Sequence, residues 1–208
     1  MKVLFFTDVH SGDSSDDYYV TDINELEEKV DVIVEKSKDC EVMVCCGDLS
    51  FFGSGLEEAI KMIKKSGKKL LIIHGNHESS SELKKLCDGK QVIFLHKKCL
   101  TIDGVTFAGY GGGGFDEEDK QFDTWAKELK SKVKGKLVLF THAPPYKTKL
   151  DELPLLGHRG SKSVRNAIKI LKPKLFASGH FHETFLEKDS IDGSELINPG
   201  DSGTIINI

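Results

Sequence analysis

Apolar residues in this chain gather in short unbroken runs, and between the runs they recur at helical spacing. Lys2 to Thr7, Val42 to Cys46, Lys69 to His74, Lys136 to Thr141 and Leu175 to Ser178 read as strands, apolar enough to be buried on both faces. Leu26, Val30, Ile33 and Val34 recur at i, i+4, i+7 and i+8 and predict a helix, which Asp22 or Asn24 can cap. Leu56, Ala59, Ile60 and Ile63 predict a second helix, stopped by Gly67, and a short helix is expected near Ser81 to Cys87. Phe122, Trp125, Ala126, Leu129 and Val133 form an apolar stripe that reads as core. Val164, Ala167, Ile168 and Leu171 mark a last helix, opened by Ser161 or Ser163 and ended at Lys172-Pro173. Strands alternating with helices indicate α/β architecture.

The middle of the chain departs from that rhythm. Val92 to His96, Cys99 to Ile102 and Val105 to Tyr110 read as three strands with no helix between them, and Asp103-Gly104 is a turn joining the last two. A shift to antiparallel pairing is expected there. Further short strands are expected at Thr184 to Lys188, Glu195 to Ile197 and Thr204 to Ile206. Ser11 to Tyr19 is a polar loop, and Tyr146 to Gly160 lacks periodicity and reads as a connection. No repeat or linker divides the chain, so one domain over 1–208 is expected.

Charge and cysteine usage narrow the partners. The formal net charge is −4, arginine occurs only at Arg159 and Arg165, and lysine is spread evenly, so a nucleic-acid-binding face is not expected. Cys40, Cys45, Cys46, Cys87 and Cys99 are odd in number and contain no CxxC pair, which indicates reduced thiols rather than a disulfide framework or a thiolate zinc site. No apolar run approaches the roughly 20 residues of a membrane span. Met1 to Phe6 runs straight into Asp8 as a strand, not as a cleavable signal, and a cytoplasmic protein is expected.

The strand ends carry the chemistry. The five buried runs lead into Asp8-Val9-His10, Asp48, Asn76-His77, His142 and His180-Phe181-His182. In parallel-type strands these residues meet at one rim, where α/β folds gather their functional groups. Asp8, His10, Asp48, Asn76, His142, His180 and His182 supply four imidazoles, two carboxylates and one carboxamide, too many ligands for one ion. Mixed nitrogen and oxygen donors suit Mn, Fe, Zn, Ni or Co, and two divalent ions sharing a carboxylate are expected.

The ordered set DxH, GD, GNHE, TH and GHxH, from Asp8 to His182, resembles the calcineurin-like metallophosphoesterase superfamily, and Asn198-Pro199-Gly200 is similar to its closing segment. The resemblance implies a four-layer α/β/β/α sandwich of two mixed sheets flanked by helices. It implies Asp8, His10 and His182 on one metal, Asn76, His142 and His180 on the other, and Asp48 bridging. His77 resembles the outer histidine that touches phosphate and protonates the leaving oxygen, with Asn76 also facing substrate. The implied activity is hydrolysis of a small phosphodiester or phosphomonoester by a metal-bridging hydroxide. A non-catalytic scaffold and a nuclease are the alternatives. The scaffold reading would be favoured by a missing ligand, and the nuclease reading by a capping domain or basic stripe; the sequence has neither feature.

The sequence also departs from relatives of this resemblance. Where protein phosphatases read GDxxDRG, this chain has Phe51 and Phe52 in place of the aspartate and arginine, which disfavours a phosphoprotein phosphatase. GDLSF is closer to the GDLSY of purple acid phosphatases, but Phe51 cannot supply their tyrosinate ligand. Arg159, in a loop before a helix start that could itself hold an anion, is the candidate replacement for the phosphate arginine, with His158 beside it. Glu78 is expected to hydrogen-bond behind the ligands. His74 and His96 match no motif and are expected to be structural. Gly111 to Gly114 lacks a P-loop ending and is expected to be a flexible loop near the site.

Overall fold

The computed structural model describes residues 1–10 and 23–208. The expected loop Ser11 to Tyr19 and the capping residue Asp22 lie outside the described residues. Two sheets stack face to face with helices on both outer surfaces. The first contains β1 (Lys2–Phe6), β2 (Val42–Cys45), β3 (Lys69–Ile72), β4 (Val92–Phe94) and β13 (Thr204–Asn207), in the order β13-β1-β2-β3-β4. Its strands β1 to β4 are mutually parallel, while β13 runs antiparallel to β1. The second contains β5 (Lys98–Ile102), β6 (Val105–Tyr110), β7 (Lys136–Thr141), β10 (Leu175–Ala177), β11 (Lys188–Ile191) and β12 (Ser194–Ile197), in the order β11-β12-β10-β7-β6-β5. Here β6, β7, β10 and β12 are parallel, with β5 and β11 antiparallel at the edges.

Alternation along each strand explains the layers, because successive side chains point to opposite faces. Leu4 and Phe6 of β1, with Met43 and Cys45 of β2, pack outward against α1 (Ile23–Ser37), α2 (Leu56–Lys65) and α3 (Ser80–Leu86). Val3, Phe5 and Val44 point the other way, into the space between the sheets, where they meet Phe107, Val138 and Phe140. Leu139 and Phe176 of the second sheet pack outward against α4 (Lys120–Lys132) and α5 (Lys162–Leu171). The adjacent Cys45 and Cys46 accordingly occupy different cores, and both are fully buried free thiols.

Local signals set the ends of these elements. Asp119 caps α4 by accepting from the amides of Gln121 and Phe122, and Ser161 caps α5 through the amide of Val164. Asp103-Gly104 and Asp192-Gly193 both have left-handed φ, 47° and 78°, 49° and 87°, which matches the twist of a two-residue hairpin turn.

Three sequence expectations are corrected. β4 pairs in parallel with β3 in the first sheet, so antiparallel pairing begins only with β5, after the chain has crossed to the second sheet. Thr184 to Lys188 is not a strand: His182–Thr184 is a 3-10 turn, and the strand starts at Lys188. The segment from Tyr146 to Gly160 contains a 3-10 turn at Lys149–Asp151 and a two-residue hairpin of β8 (Glu152–Leu153) and β9 (Gly157–His158). No helix among the described residues is long and apolar enough to cross a membrane.

Phe140 lies fully buried between the sheets. Phe140→Ala is expected to destabilise the fold by about 3–5 kcal/mol through lost burial and a residual cavity, read as a lower urea midpoint with an unchanged slope. A change under about 1 kcal/mol would show that the sheets close over the gap.

Candidate metal centre

Because the strands that carry the predicted residues are parallel, their carboxyl ends fall at one edge of each sheet, and the two edges are stitched together. The Asp8 amide donates to Gly47 O (3.1 Å), the Gly179 amide to His142 O (3.1 Å) and the Gly112 amide to His74 O (2.8 Å). Between the sheets, the His180 amide donates to Asp8 Oδ2 (2.9 Å), and His142 Nδ1 lies 3.1 Å from Cys46 O. A carbonyl oxygen only accepts, so Nδ1 is the donor in that second contact and Nε2 is the nitrogen that faces the cluster.

The seven predicted ligand residues come together. Candidate ligand atoms of Asp8, His10 and His182 lie within 4.8 Å of one another, as do those of Asp8, Asp48 and His142. Asn76 joins through Oδ1, which is 2.8 Å from His142 Nε2 and 2.9 Å from His180 Nδ1. Asp48 stands between the two groups, with Oδ2 3.1 Å from His142 Nε2 and 3.7 Å from His10 Nε2. His77 lies on the His10 side, its ring 4.8 Å from that of His10.

Their chemistry fits divalent cations. Asp8 Oδ1, Asp48 Oδ2 and His10 Nε2 are buried without a hydrogen-bond partner. Asp48 Oδ2 has only ionic neighbours, because neither imidazole contact has hydrogen-bond geometry. Buried polar atoms are ordinarily satisfied, and three such atoms drawn from one cluster of candidate ligands suit a cationic partner. The ionisation states agree. Burial opposes charge on Asp48, yet His142 and His10 hold its carboxyl far below the ordinary range. Burial would lower His142, but the Asp48 carboxylate prevails and raises it to about 9.

Backbone geometry holds this arrangement at a cost. Asp8, Asp48 and His180 are non-glycine residues in the left-handed region, with φ of 51°, 54° and 75°. Strain of this kind is retained where surrounding structure over-determines it. Two glycines make room: a Cβ on Gly75 would stand 2.0 Å from Asp48 Oδ1, and one on Gly179 would stand 2.2 Å from Asp8 Oδ2. Glu78 is buried behind the ligands and accepts from the amides of Asp48 (3.1 Å) and Ser50 (3.0 Å). Burial and then Asp48 push its carboxyl up to about 8, against amide donors that favour the charged form.

Other residues take supporting positions that sequence reasoning did not find. Thr7 Oγ1 donates to Asp8 Oδ2 (2.7 Å). Fully buried Asn198 donates through Nδ2 to Phe181 O (3.0 Å) and Thr184 Oγ1 (3.0 Å), bracing the turn that bears His180 and His182. Thr7 carries no motif of its own, whereas Asn198 stands out only through its Pro-Gly neighbours. His74 and His96 anchor the glycine run, His96 Nδ1 accepting from the Gly111 amide (2.9 Å). That run is therefore pinned at two amides rather than loose, and it reaches the site, since a Cβ on Gly114 would stand 2.6 Å from His180 Cε1.

Arg159 is exposed, its amide donates to Asp151 O (3.1 Å), and its charge acts on Glu117. The helix start beside it does not offer a free anion site. The amides of Lys162 and Ser163 donate to Glu117 O (2.7 and 3.4 Å), and that of Val164 donates to Ser161 Oγ. His158 is tied through Nδ1 to the buried Asp151 (2.9 Å).

Comparison with known proteins agrees with this geometry. The sequence model of the calcineurin-like phosphoesterase family matches residues 1–184. An uncharacterized protein of Methanocaldococcus jannaschii, MJ1162, is 29% identical over 196 residues, covering 86% of this chain and 87% of that protein. A protein of Fibrobacter succinogenes named as a "probable cyclic nucleotide phosphodiesterase" is 28% identical over 200 residues, covering 88% and 73%. The crystal structure of TT1561 of Thermus thermophilus superposes with a TM-score of 0.74 at 15% identity, covering 97% of this chain and 89% of that one, and shares the fold.

Gly75→Ala is expected to leave far-UV circular dichroism native while lowering divalent metal content measured by mass spectrometry, because the new Cβ meets the Asp48 carboxylate. Unchanged metal content would remove the steric reading of this glycine. Metal uptake is also expected to release protons below pH 9, since His142 is raised to about 9 and must be neutral to act as a ligand. Apparent affinity should fall as pH is lowered from 9 to 6, and calorimetry in buffers of different ionisation enthalpy reads the protons released. A pH-independent affinity over that range would contradict a ligand role for His142.

Proposed function

The chain belongs to the calcineurin-like phosphoesterase family of hydrolases, and we propose that it is a small-molecule phosphodiesterase whose centre binds two divalent cations. The clustering of Asp8 Oδ1, Asp48 Oδ2 and His10 Nε2, buried without hydrogen-bond partners, carries this reading. Asp8, His10 and His182 would hold one cation, Asn76, His142 and His180 the other, and Asp48 would serve both. Bound there, the cations supply charge neutralisation at the phosphoryl oxygens and acidification of water.

The side chains have distinct tasks. Asn76 and the histidines fix the phosphoryl group at the rim. His77 orients the leaving oxygen and delivers its proton from Nε2, since Nδ1 is buried without a partner. Phe51 packs on His77 with ring centroids 4.8 Å apart, where other members carry an orienting aspartate, and Phe52 replaces an arginine. A dianionic monoester would therefore lack one of its usual cationic contacts, which favours the singly charged diester. The name of the Fibrobacter relative supports the same side.

The residues beyond the family match belong to the same architecture. β11 and β12 extend the second sheet, and β13 completes the first, supporting one catalytic domain over 1–208. Buried free thiols at Cys40, Cys45 and Cys46 suit the reducing cytoplasm.

Metal-stripped protein is expected to be inert toward bis(p-nitrophenyl) phosphate and to regain turnover with Mn, Ni, Zn or Mg, while p-nitrophenyl phosphate is hydrolysed more slowly. His77→Ala should retain both metals and lose roughly 10²-fold or more in kcat, whereas Asp48→Asn should lose the metal pair. Absence of diester turnover with two metals bound would overturn the proposal, and loss of both ions in His77→Ala would overturn the role of that residue.

A further inference from the structure

We propose that Phe52 and Phe115 form an aromatic clamp across the two ends of the metal centre, one ring to each substituent of a phosphodiester, and that at least one of those substituents is the planar base of a nucleotide, an assignment that rests on the phosphodiesterase reading. Both rings are largely exposed, Phe52 to 72% and Phe115 to 78%, yet each lies against a histidine of the cluster. The Phe52 ring is edge-on to His77, with centroids 5.1 Å apart at 82°. Phe115 meets His180 in the same manner, at 4.8 Å and 84°. His77 sits with His10 and Asp48, and His180 sits with Asn76 and His142, so the rings flank the two ends of the centre.

Neither ring hangs on a slack loop. Phe52 has a left-handed φ of 47°, unfavourable for an aromatic residue, and lies in a turn closed by the Ser54 amide on Phe51 O (3.0 Å). Phe115 follows Gly112, Gly113 and Gly114, all left-handed, and its loop is fixed before it by Gly112 on His74 O and after it by Glu117 O on the start of α5. Preorganised flat faces favour a flat occupant, because little conformational freedom is lost on contact. Every nucleobase offers a π-face, and stacking on exposed aromatic side chains is tolerant of base identity.

Charge selects the rest of the ligand. Phe52 stands at the position of a phosphate-gripping arginine in protein phosphatases, so on that side the mouth presents an aromatic ring in place of a cation. A diester has a substituent on each side of phosphorus, and a ring at each end of the centre matches that disposition.

Calorimetric titration of the Mn-loaded protein with adenosine 5′-monophosphate and, separately, ribose 5-phosphate tests the clamp without relying on turnover. Wild-type protein is expected to prefer the base-bearing probe by about 5- to 150-fold, the span of base–aromatic stacking. The double variant Phe52→Ala/Phe115→Ala should bring that ratio toward one, and Phe52→Tyr/Phe115→Tyr should keep it. Equal affinities in the wild type, a ratio unchanged by the alanines, or no binding of either probe would overturn the clamp. Diester turnover assayed on the same samples separates the two proposals. A clear base preference without any diester turnover would sink the phosphodiesterase reading alone, and turnover without base preference would sink the clamp alone.

Discussion

Asp8 and Asp48 are each bound to the protein by one oxygen and left open at the other. Asp8 Oδ2 accepts from Thr7 Oγ1 and the His180 amide, and Asp48 Oδ1 accepts from the His77 amide (3.0 Å), while Oδ1 and Oδ2 respectively have no hydrogen-bond partner. An ionised carboxylate cannot stay buried in that condition without cations nearby. The surrounding structure follows from keeping two such groups close together. Imidazoles ring them, glycines stand where a Cβ would strike them, and the backbone of both residues is held in the left-handed region.

The two-sheet architecture makes this closeness possible. A single sheet would spread five strand ends along one line, about 5 Å apart per strand. Facing two parallel-stranded edges across a shared core of Phe5, Phe107 and Phe140 folds that line in half. Asp8, Asp48 and Asn76 come from one edge and His142, His180 and His182 from the other. Tight packing between the sheets thereby fixes distances in the site, since the edges cannot slide without disturbing the core.

Much of this was legible in the sequence, for a physical reason. Strands buried on both faces give unbroken apolar runs, and their polar terminators stand out, so Asp8, Asp48, Asn76, His142 and His180 announced themselves. Helical stripes were equally clear, because one face must be apolar. What could not be read was the partner of each strand. β4 looks the same whether it pairs with β3 or β5, since pairing depends on where the chain crosses between sheets. Thr184 to Lys188 has a strand's composition, but the Asn198 side chain holds the preceding turn and delays the strand. Arg159 is a candidate because it precedes a helix start that could hold an anion, and the sequence says nothing of what already occupies the amides of that start.

The Thr7 amide donates to Gly200 O (3.1 Å), directly beside Asp8. The residue that closes β1 beside Asp8 is thus paired with one that follows β12. β1 pairs with β2 along its length, but its carboxyl end is completed by Gly200, whose neighbour Asn198 braces the His180 to Thr184 turn. Contacts of such long sequence separation form late and slowly. The candidate metal centre is therefore a late-forming part of the fold, assembled only once segments far apart in sequence have come together.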